Sequence, residues 1–407
     1  MAGEWRQSTW GDEISLEYGK ALRGHDTSSG AYRVYGSNGA IGWTDQPLAA
    51  GPGVVLGRKG AYRGVEYSPN PFFVIDTAYY VVSKREHDMR WLYYAIKHHK
   101  LGEIDDGSPI PSTTRAAVYP REVAVPPITE QRAIAHILGT LDDKIEVNRR
   151  MSATLEAMAR AIFQDWFVAF GPTRAKMEGR PPYLAPDLWS LFPDHLDAEG
   201  KPEGWQVSTI GQEVAVVGGT TPSTKEPTYW NGNLHWATPK DLSTLSVPVL
   251  TDTERRITPA GLAQIGSGLL PVGSVLLSSR APIGYLAVNL VPTAINQGFI
   301  GMMCDGRLPN IFVWLWTAAN MDAIKQKANG STFQEISKAN FRPLRVIVPS
   351  ARVLAAFDCV VRPLWERLCA NVKEQATLAA TRDLLLPRLM SGELRVRDAE
   401  RLLERVT

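Results

Sequence analysis

Catalysis needs side chains that can hold, donate or attack, at spacings that bring them together, and two stretches of this 407-residue chain raise the question. Asn70-Pro71-Phe72-Phe73 has the amide-then-aromatic order that can hold a flipped base by hydrogen bonds and stacking. No glycine-rich cofactor stretch precedes it, and it reads as a strand start. Pro193-Asp194, followed by Glu199-Gly200-Lys201, offers two carboxylates and a lysine, the ingredients of a Mg2+-dependent phosphodiester site. It lies in a proline-rich segment without strands to fix the geometry. His98-His99 reads as a helix end. Three scattered cysteines (Cys304, Cys359, Cys369) and 7 histidines form no zinc-type spacing. There is no GxxxxGK[ST] phosphate loop. The reading is that the chain carries no catalytic residue, no metal and no cofactor of its own.

Other polar side chains sit in glycine-rich loops, where backbone can approach a ligand closely. In the first third these are Ser37 and Asn38 in GSNGAIG (36–42), and Arg58, Lys59, Tyr62 and Arg63 in GRKGAYRG (57–64). Further on they are Ser223, Lys225, Lys240, Asp241, Ser279, Arg280, Asn296 and Gln297. Arginine and lysine suit guanine O6/N7 or phosphate, and asparagine and glutamine suit adenine. Double-stranded DNA is the partner this chemistry fits. Any one of these residues can equally be a turn former, and the amides of Asn296 and Gln297 can equally pin a buried turn. Trp230 and Trp236 read as packing. Charge alone does not call for nucleic acid: 44 Lys and Arg face 42 Asp and Glu. Residues 204–350 hold 11 basic and 8 acidic side chains, so a DNA-facing field must be concentrated on one surface.

The elements that position these loops repeat. Residues 1–127 read as mixed α/β, with strand-like runs at Tyr32–Tyr35, Val54–Leu56, Phe72–Ile75 and Tyr79–Val82 and helical spacing over Arg90–His99. After Pro126-Pro127 comes one long helical stretch, 128–170, with Thr129 as the expected N-cap and Phe170-Gly171-Pro172 as the stop. Some forty residues at ~1.5 Å each give roughly 60 Å, the length of a spacer or coiled coil. Residues 171–203 read as a linker draped over the surface. The opening then recurs: Trp5, Ser8, Thr9, Gly11 and Glu13 as Trp205, Ser208, Thr209, Gly211 and Glu213, and Ile75-Asp76 as Ile295-Asn296. From Gly107-Ser108 and Gly330-Ser331 onward the offset holds at 223, through Val123/Val346, Leu141/Leu364 and Asn148/Asn371. This is an internal duplication: a domain at 1–127 and a helix, then a domain at 204–349 and a helix at 350–392, and a tail at 393–407. The second helix carries Pro387, where a kink is expected.

A heptad on the first helix places Ile134, Leu141, Asn148, Leu155 and Ile162 at a, and Leu138, Ile145, Ser152, Ala159 and Trp166 at d. The repeat places Phe357, Leu364, Asn371, Leu378 and Leu385 at a in the second, with Val361, Leu368, Gln375, Arg382 and Leu389 at d. Both seams are apolar at their ends and polar at the centre. A lone Asn in a seam costs stability and fixes register. In an antiparallel pair related by a pseudo-twofold, Asn148 and Asn371 meet at the centre. Such a pair would hold two similar domains at a fixed separation, as readers of two DNA half-sites require.

YRVYGSNGAIG (32–42), VAVPPITEQRAIAHIL (123–138), AIFQDWFVAFGPTRAKMEG (161–179), KPEGWQVSTIG (201–211), INQGF (295–299) and LLLPRLMSGELRV (384–396) resemble the specificity subunit of type I restriction–modification systems. The resemblance runs over nearly the whole chain; one departure is that the second helix opens SARVLAAF without the first helix's TEQ. It implies two α/β target-recognition domains, each reading half of a bipartite site. It also implies two long antiparallel helices that set their spacing and dock two methyltransferase subunits, with motor–nuclease subunits joining the complex. S-adenosylmethionine, ATP and Mg2+ would belong to those partners. A self-sufficient DNA methylase or nuclease and a protein-binding scaffold are the alternatives. The absence of a leader or a long apolar run gives the cytoplasm as the expected compartment, with no membrane partner.

Overall fold

The computed structural model describes residues 5–24, 29–104, 110–330 and 334–403. Gly107-Ser108 and Ser331, where the 223-residue offset sets in, lie outside the described residues, as do residues 404–407 of the tail. The chain forms two compact units, residues 1–146 with 376–407, and residues 147–375.

In the first unit Arg6–Thr9 pairs antiparallel with Glu122–Val125, Arg6 opposite Val125. A four-stranded sheet runs in the order Ile14–Tyr18, Ala78–Ser83, Gly53–Gly57, Val65–Ser68, and a three-stranded sheet in the order Gly39–Thr44, Tyr32–Gly36, Phe72–Val74. The β-branched and aromatic runs read from the sequence supply these strands. The helix expected at Arg90–His99 spans Met89–His98, started by the Asp88 carboxylate, which accepts from the Arg90 and Trp91 N–H groups. Its apolar face (Trp91, Leu92, Tyr94, Ala95, Ile96) shares one core with Trp10, with Ile134, Leu138 and Leu141, and with Leu378, Leu385 and Leu389.

The second unit repeats the plan. Gln206–Thr209 pairs with Arg345–Val348, Gln206 opposite Val348. One sheet orders Ala215–Gly218, Phe299–Met303, Val275–Ser278, Leu286–Asn289 and Val249–Leu250; the other orders Arg255–Ile257, Trp230–Ala237 and Thr293–Ile295. A buried carboxylate marks the same place in each unit. Glu13 is held by Arg6 at 2.7 Å and His87 at 2.8 Å, and Glu213 by Arg307 at 2.6 Å. Arg6 corresponds to Gln206, so the guanidinium comes from the first strand in one unit and from the segment before helix Asn310–Ala319 in the other, while the ion pair has stayed.

The long helices span Ile128–Phe163 and Ala351–Met390. Thr129 is not the N-cap. Glu130 and Gln131 both donate to the Pro127 carbonyl, so the helix begins at Ile128, two residues earlier than a Thr129 cap implies, and Thr129 lies in its first turn. The expected stop also differs. A π-helical turn, Gln164–Val168, follows, and the left-handed residue is Phe170 (φ 54°) rather than Gly171, which opens the next helix, Gly171–Met177. The wider turn puts Phe163, Trp166, Phe167 and Phe170 all into the core. The second helix continues through Pro387 and ends before Gly392, which has φ +73°. Segment 171–203 is packed rather than draped: Thr173, Ala175 and Phe192 are buried.

Within the second unit the two helices run antiparallel. Phe163 meets Phe357 (ring centroids 6.1 Å apart), Asn371 Nδ2 donates to Ser152 Oγ at 3.4 Å, and Asn148 Nδ2 to Glu374 Oε2 at 2.8 Å. As one number rises the other falls. Asn148 and Asn371 are both fully buried, each bonded to the opposite helix about one turn from the other asparagine rather than to it. Both Oδ1 atoms lack a partner. In the first unit Arg382, at a d position, donates to Asp142 at 2.7 Å. No helix among the described residues is long and apolar enough to cross a membrane.

Candidate nucleic-acid interface

Glycines set how closely the loops pack. In the first unit a Cβ on Gly19 would fall 2.0 Å from the Ile75 carbonyl oxygen; in the second, one on Gly219 would fall 1.8 Å from that of Ile295. Only glycine permits either approach. Each clamps the end of the first sheet strand to the Ile-Asx turn that the sequence repeat had matched.

In the first unit the candidate loops converge on Thr77. Its carbonyl accepts from Ser37 Oγ (2.7 Å) and from the Arg58 N–H (3.0 Å). Gly64 donates to the Ser37 carbonyl, which ties turn 36–39 to loop 57–64. Arg63 is spent inside: its guanidinium bonds the carbonyls of Gly60, Gly102 and Ile104 and the Thr113 hydroxyl. It shapes the loop, and the groups it presents are Asn38, Lys59 and Tyr62, the last 77% exposed. Arg58 lies over the Tyr18 ring at 5.0 Å. Ser37 is a turn former through its hydroxyl and carbonyl.

Glu66 stands behind these turns. A side chain at Gly39 would come within 3.3 Å of its Oε1, and one at Gly64 within 3.5 Å, so both glycines flank the carboxylate. Burial raises its pKa, opposed by Lys97. Sequence reasoning missed it, because a lone Glu in a strand carries no signal until the fold shows what surrounds it.

In the second unit the candidates also converge. Thr221 Oγ1 donates to the Gln297 side chain, and the Ser279 N–H to the Gly298 carbonyl at 2.8 Å. Asn296 Oδ1 accepts from the Gly298 N–H at 2.8 Å, so its amide shapes the turn. Asp241 is committed to its own helix start: one oxygen takes the Thr238 N–H and hydroxyl, the other the Glu254 N–H. Lys240 pairs with Glu254 at 2.8 Å, and Arg280 with Glu335 at 3.7 Å. Ser279 is buried. Ser223 and Lys225 are exposed on a loop bolted to two indoles: Trp230 Nε1 donates to the Ser223 carbonyl at 3.0 Å and Trp236 Nε1 to that of Thr220 at 3.2 Å. These tryptophans pack, as expected.

The catalytic-looking stretches do not assemble. Asp194 pairs with Lys176, Glu199 with Arg345, and Lys201 with Asp197. Phe72 is a core residue, and His98 and His99 stack edge-on at a helix end.

A family model described as the type I restriction modification DNA specificity domain matches residues 3–157 and again residues 202–352. The MjaIX type I restriction enzyme specificity subunit of Methanocaldococcus jannaschii is 35% identical over 182 residues, 42% of this chain and 42% of that protein. The HindI type I restriction enzyme specificity subunit of Haemophilus influenzae is 25% identical over 329 residues, 70% of this chain and 71% of that protein. The crystal structure of the type I restriction–modification S subunit from M. genitalium has the same fold, with a TM-score of 0.63 at 16% identity over 95% of this chain and 96% of that one.

Proposed function

The chain belongs to the type I restriction modification DNA specificity family, and on that premise we propose that it is the non-catalytic, sequence-reading subunit of such a system. Each unit reads one half of a bipartite duplex site. The long helices hold the halves apart and dock two methyltransferase subunits, and motor–nuclease subunits join the assembled complex. S-adenosylmethionine, ATP and Mg2+ are held by those partners.

The observation that carries this reading is the repeated placement of the loops. In both units the loop after one sheet strand (57–64 and 278–285) meets the Ile-Asx turn, Arg58 N–H donating to the Thr77 carbonyl and Ser279 N–H to that of Gly298, and takes a later N–H, Thr113 on the Arg58 carbonyl and Ile336 on that of Ser279, while the framework keeps one register. The framework residues match between units and the loop residues do not, which is the division expected of one scaffold reading two different half-sites. Asn38, Lys59 and Tyr62 in the first unit, and Ser223, Lys225 and Gln297 in the second, are the exposed groups placed to meet DNA. Arg63, Asn296 and the indoles of Trp230 and Trp236 set the loops that carry them. Glu66 supplies an acceptor of the kind that a cytosine amino group takes.

The test is binding by the chain assembled with its methyltransferase. Affinity should fall steeply with salt, and a duplex carrying both half-sites should be preferred over one with either half scrambled. Salt-independent binding, or none, would favour the scaffold alternative; methylation or cutting by the purified chain alone would favour the enzyme.

A further inference from the structure

Two arginines outside the candidate loops are held in the same unusual state, one in each unit. Arg33, on Tyr32–Gly36, lies over the Trp43 ring with its guanidinium carbon 4.4 Å from the centroid, and the two residues face each other in register. Arg255, on Arg255–Ile257, lies 3.6 Å from the Trp230 centroid and 5.2 Å from that of Trp236, its partner in register. Of the other arginines beside the loops, Arg63 is committed to carbonyls, Arg280 to Glu335 and Arg256 to Asp252, while Arg58, within loop 57–64 itself, lies over the Tyr18 ring. Among the described residues neither Arg33 nor Arg255 donates a side-chain hydrogen bond or joins an ion pair.

A stacked guanidinium keeps its full charge and all its N–H donors while its rotamers are already restricted. Less freedom is lost when a planar pair of acceptors arrives. Both stacks lie on the three-stranded sheets, close to the loops. The strand of Arg33 runs into the turn that holds Ser37 and Asn38, and the indoles under Arg255 hold the loop that carries Ser223 and Lys225. The construction is also inverted. In the first unit the arginine is on the middle strand and the tryptophan on the edge; in the second the tryptophans are on the middle strand and the arginine is on the edge. Two routes to one arrangement, in domains whose other loop residues differ, mark the arrangement itself as what is kept.

We propose that Arg33 and Arg255 are specificity-determining residues, each presenting its guanidinium fork to the O6 and N7 acceptors of a guanine in the half-site its unit reads. This rests on the DNA-reading function above. A phosphate offers similar acceptors, but a phosphate contact carries no sequence information, so the two are separable.

The full chain would be co-expressed with its methyltransferase and N6-methyladenine mapped across host DNA, for the parent and for Arg33→Lys and Arg255→Lys. The parent motif should carry a G·C pair in each half. Arg33→Lys, which keeps the charge and loses the fork, should make one such position degenerate in one half only, with discrimination falling on the order of 10- to 100-fold. Arg255→Lys should do the same in the other half. If either variant fails to co-purify with its partner, Trp43→Phe or Trp230→Phe, which weakens the platform, should blur the same position to a smaller degree. A parent motif with no G·C pair in one half would overturn the proposal. So would variants that lower methylation at all sites with the motif intact, which is phosphate behaviour, or variants that change nothing. A parent complex that marks no bipartite motif would overturn the underlying DNA reading as well.

Discussion

Glu13 shows how a single residue position is kept while its partners exchange. Burial alone would push its carboxyl up, but hydrogen bonds from Arg6, Ser8 and His87 outweigh that and hold it at about 2. A folded-state value below the unfolded 4.5 contributes stability that is present above about pH 4.5 and lost as pH falls toward 2. Glu13→Gln should therefore lower the unfolding temperature at neutral pH and flatten its acid limb, read by thermal unfolding from pH 2 to 7. Glu66 behaves in the opposite sense. Burial raises its pKa, so its contribution is present at low pH and lost as pH rises through the folded value. Glu66→Gln should stabilise the chain at neutral pH, with the gain vanishing in acid, while altering which base is read. A Glu66→Gln chain no more stable than the parent would contradict this account of the carboxylate. At this scale the sequence was partly legible. The match of Glu13 with Glu213 was visible, but the exchange of Arg6 for Arg307 was not, because the partners come from different places in the chain. Arg33 and Arg255 escaped for the same reason: a cross-strand stack has no spacing signature.

At the scale of elements, the long helices were legible because a sustained heptad is a strong signal. Every assigned a and d residue is buried or half-buried. The ends were less legible. The start at Ile128 turns on the Pro127 carbonyl, and the finish is a π turn that packs aromatics in a way no capping rule anticipates. The Asn148–Glu374 bond gives a measurable cost: Asn148→Ala removes it and empties a fully buried seam position, and should destabilise the chain by about 1–3 kcal/mol, read by chemical denaturation. A neutral substitution would mean that solvent reaches this point of the seam. The Gly19 and Gly219 clamps predict a similar loss. Gly219→Ala must separate the strand from the Ile295 turn and should cost about 1–3 kcal/mol; a change within error would show that the turn is free to move.

For the whole molecule, duplication was the most legible feature, since the two offsets survive as one register, Arg6 opposite Val125 and Gln206 opposite Val348. If the paired helices set the separation of the half-sites, adding one heptad to each, beside Asn148 and Asn371, lengthens each by ~10 Å. That is about three base pairs at ~3.4 Å each. The gap between half-sites should widen by about that much with both halves unchanged. The central claim is that one chain reads two different half-sites at a fixed separation and directs a partner's methylation there. Mapping N6-methyladenine on host DNA, with the chain and its methyltransferase co-expressed, tests it most directly. The account predicts a single asymmetric bipartite motif with a constant unspecified gap; a contiguous motif, a palindromic one, or methylation without sequence preference would contradict it.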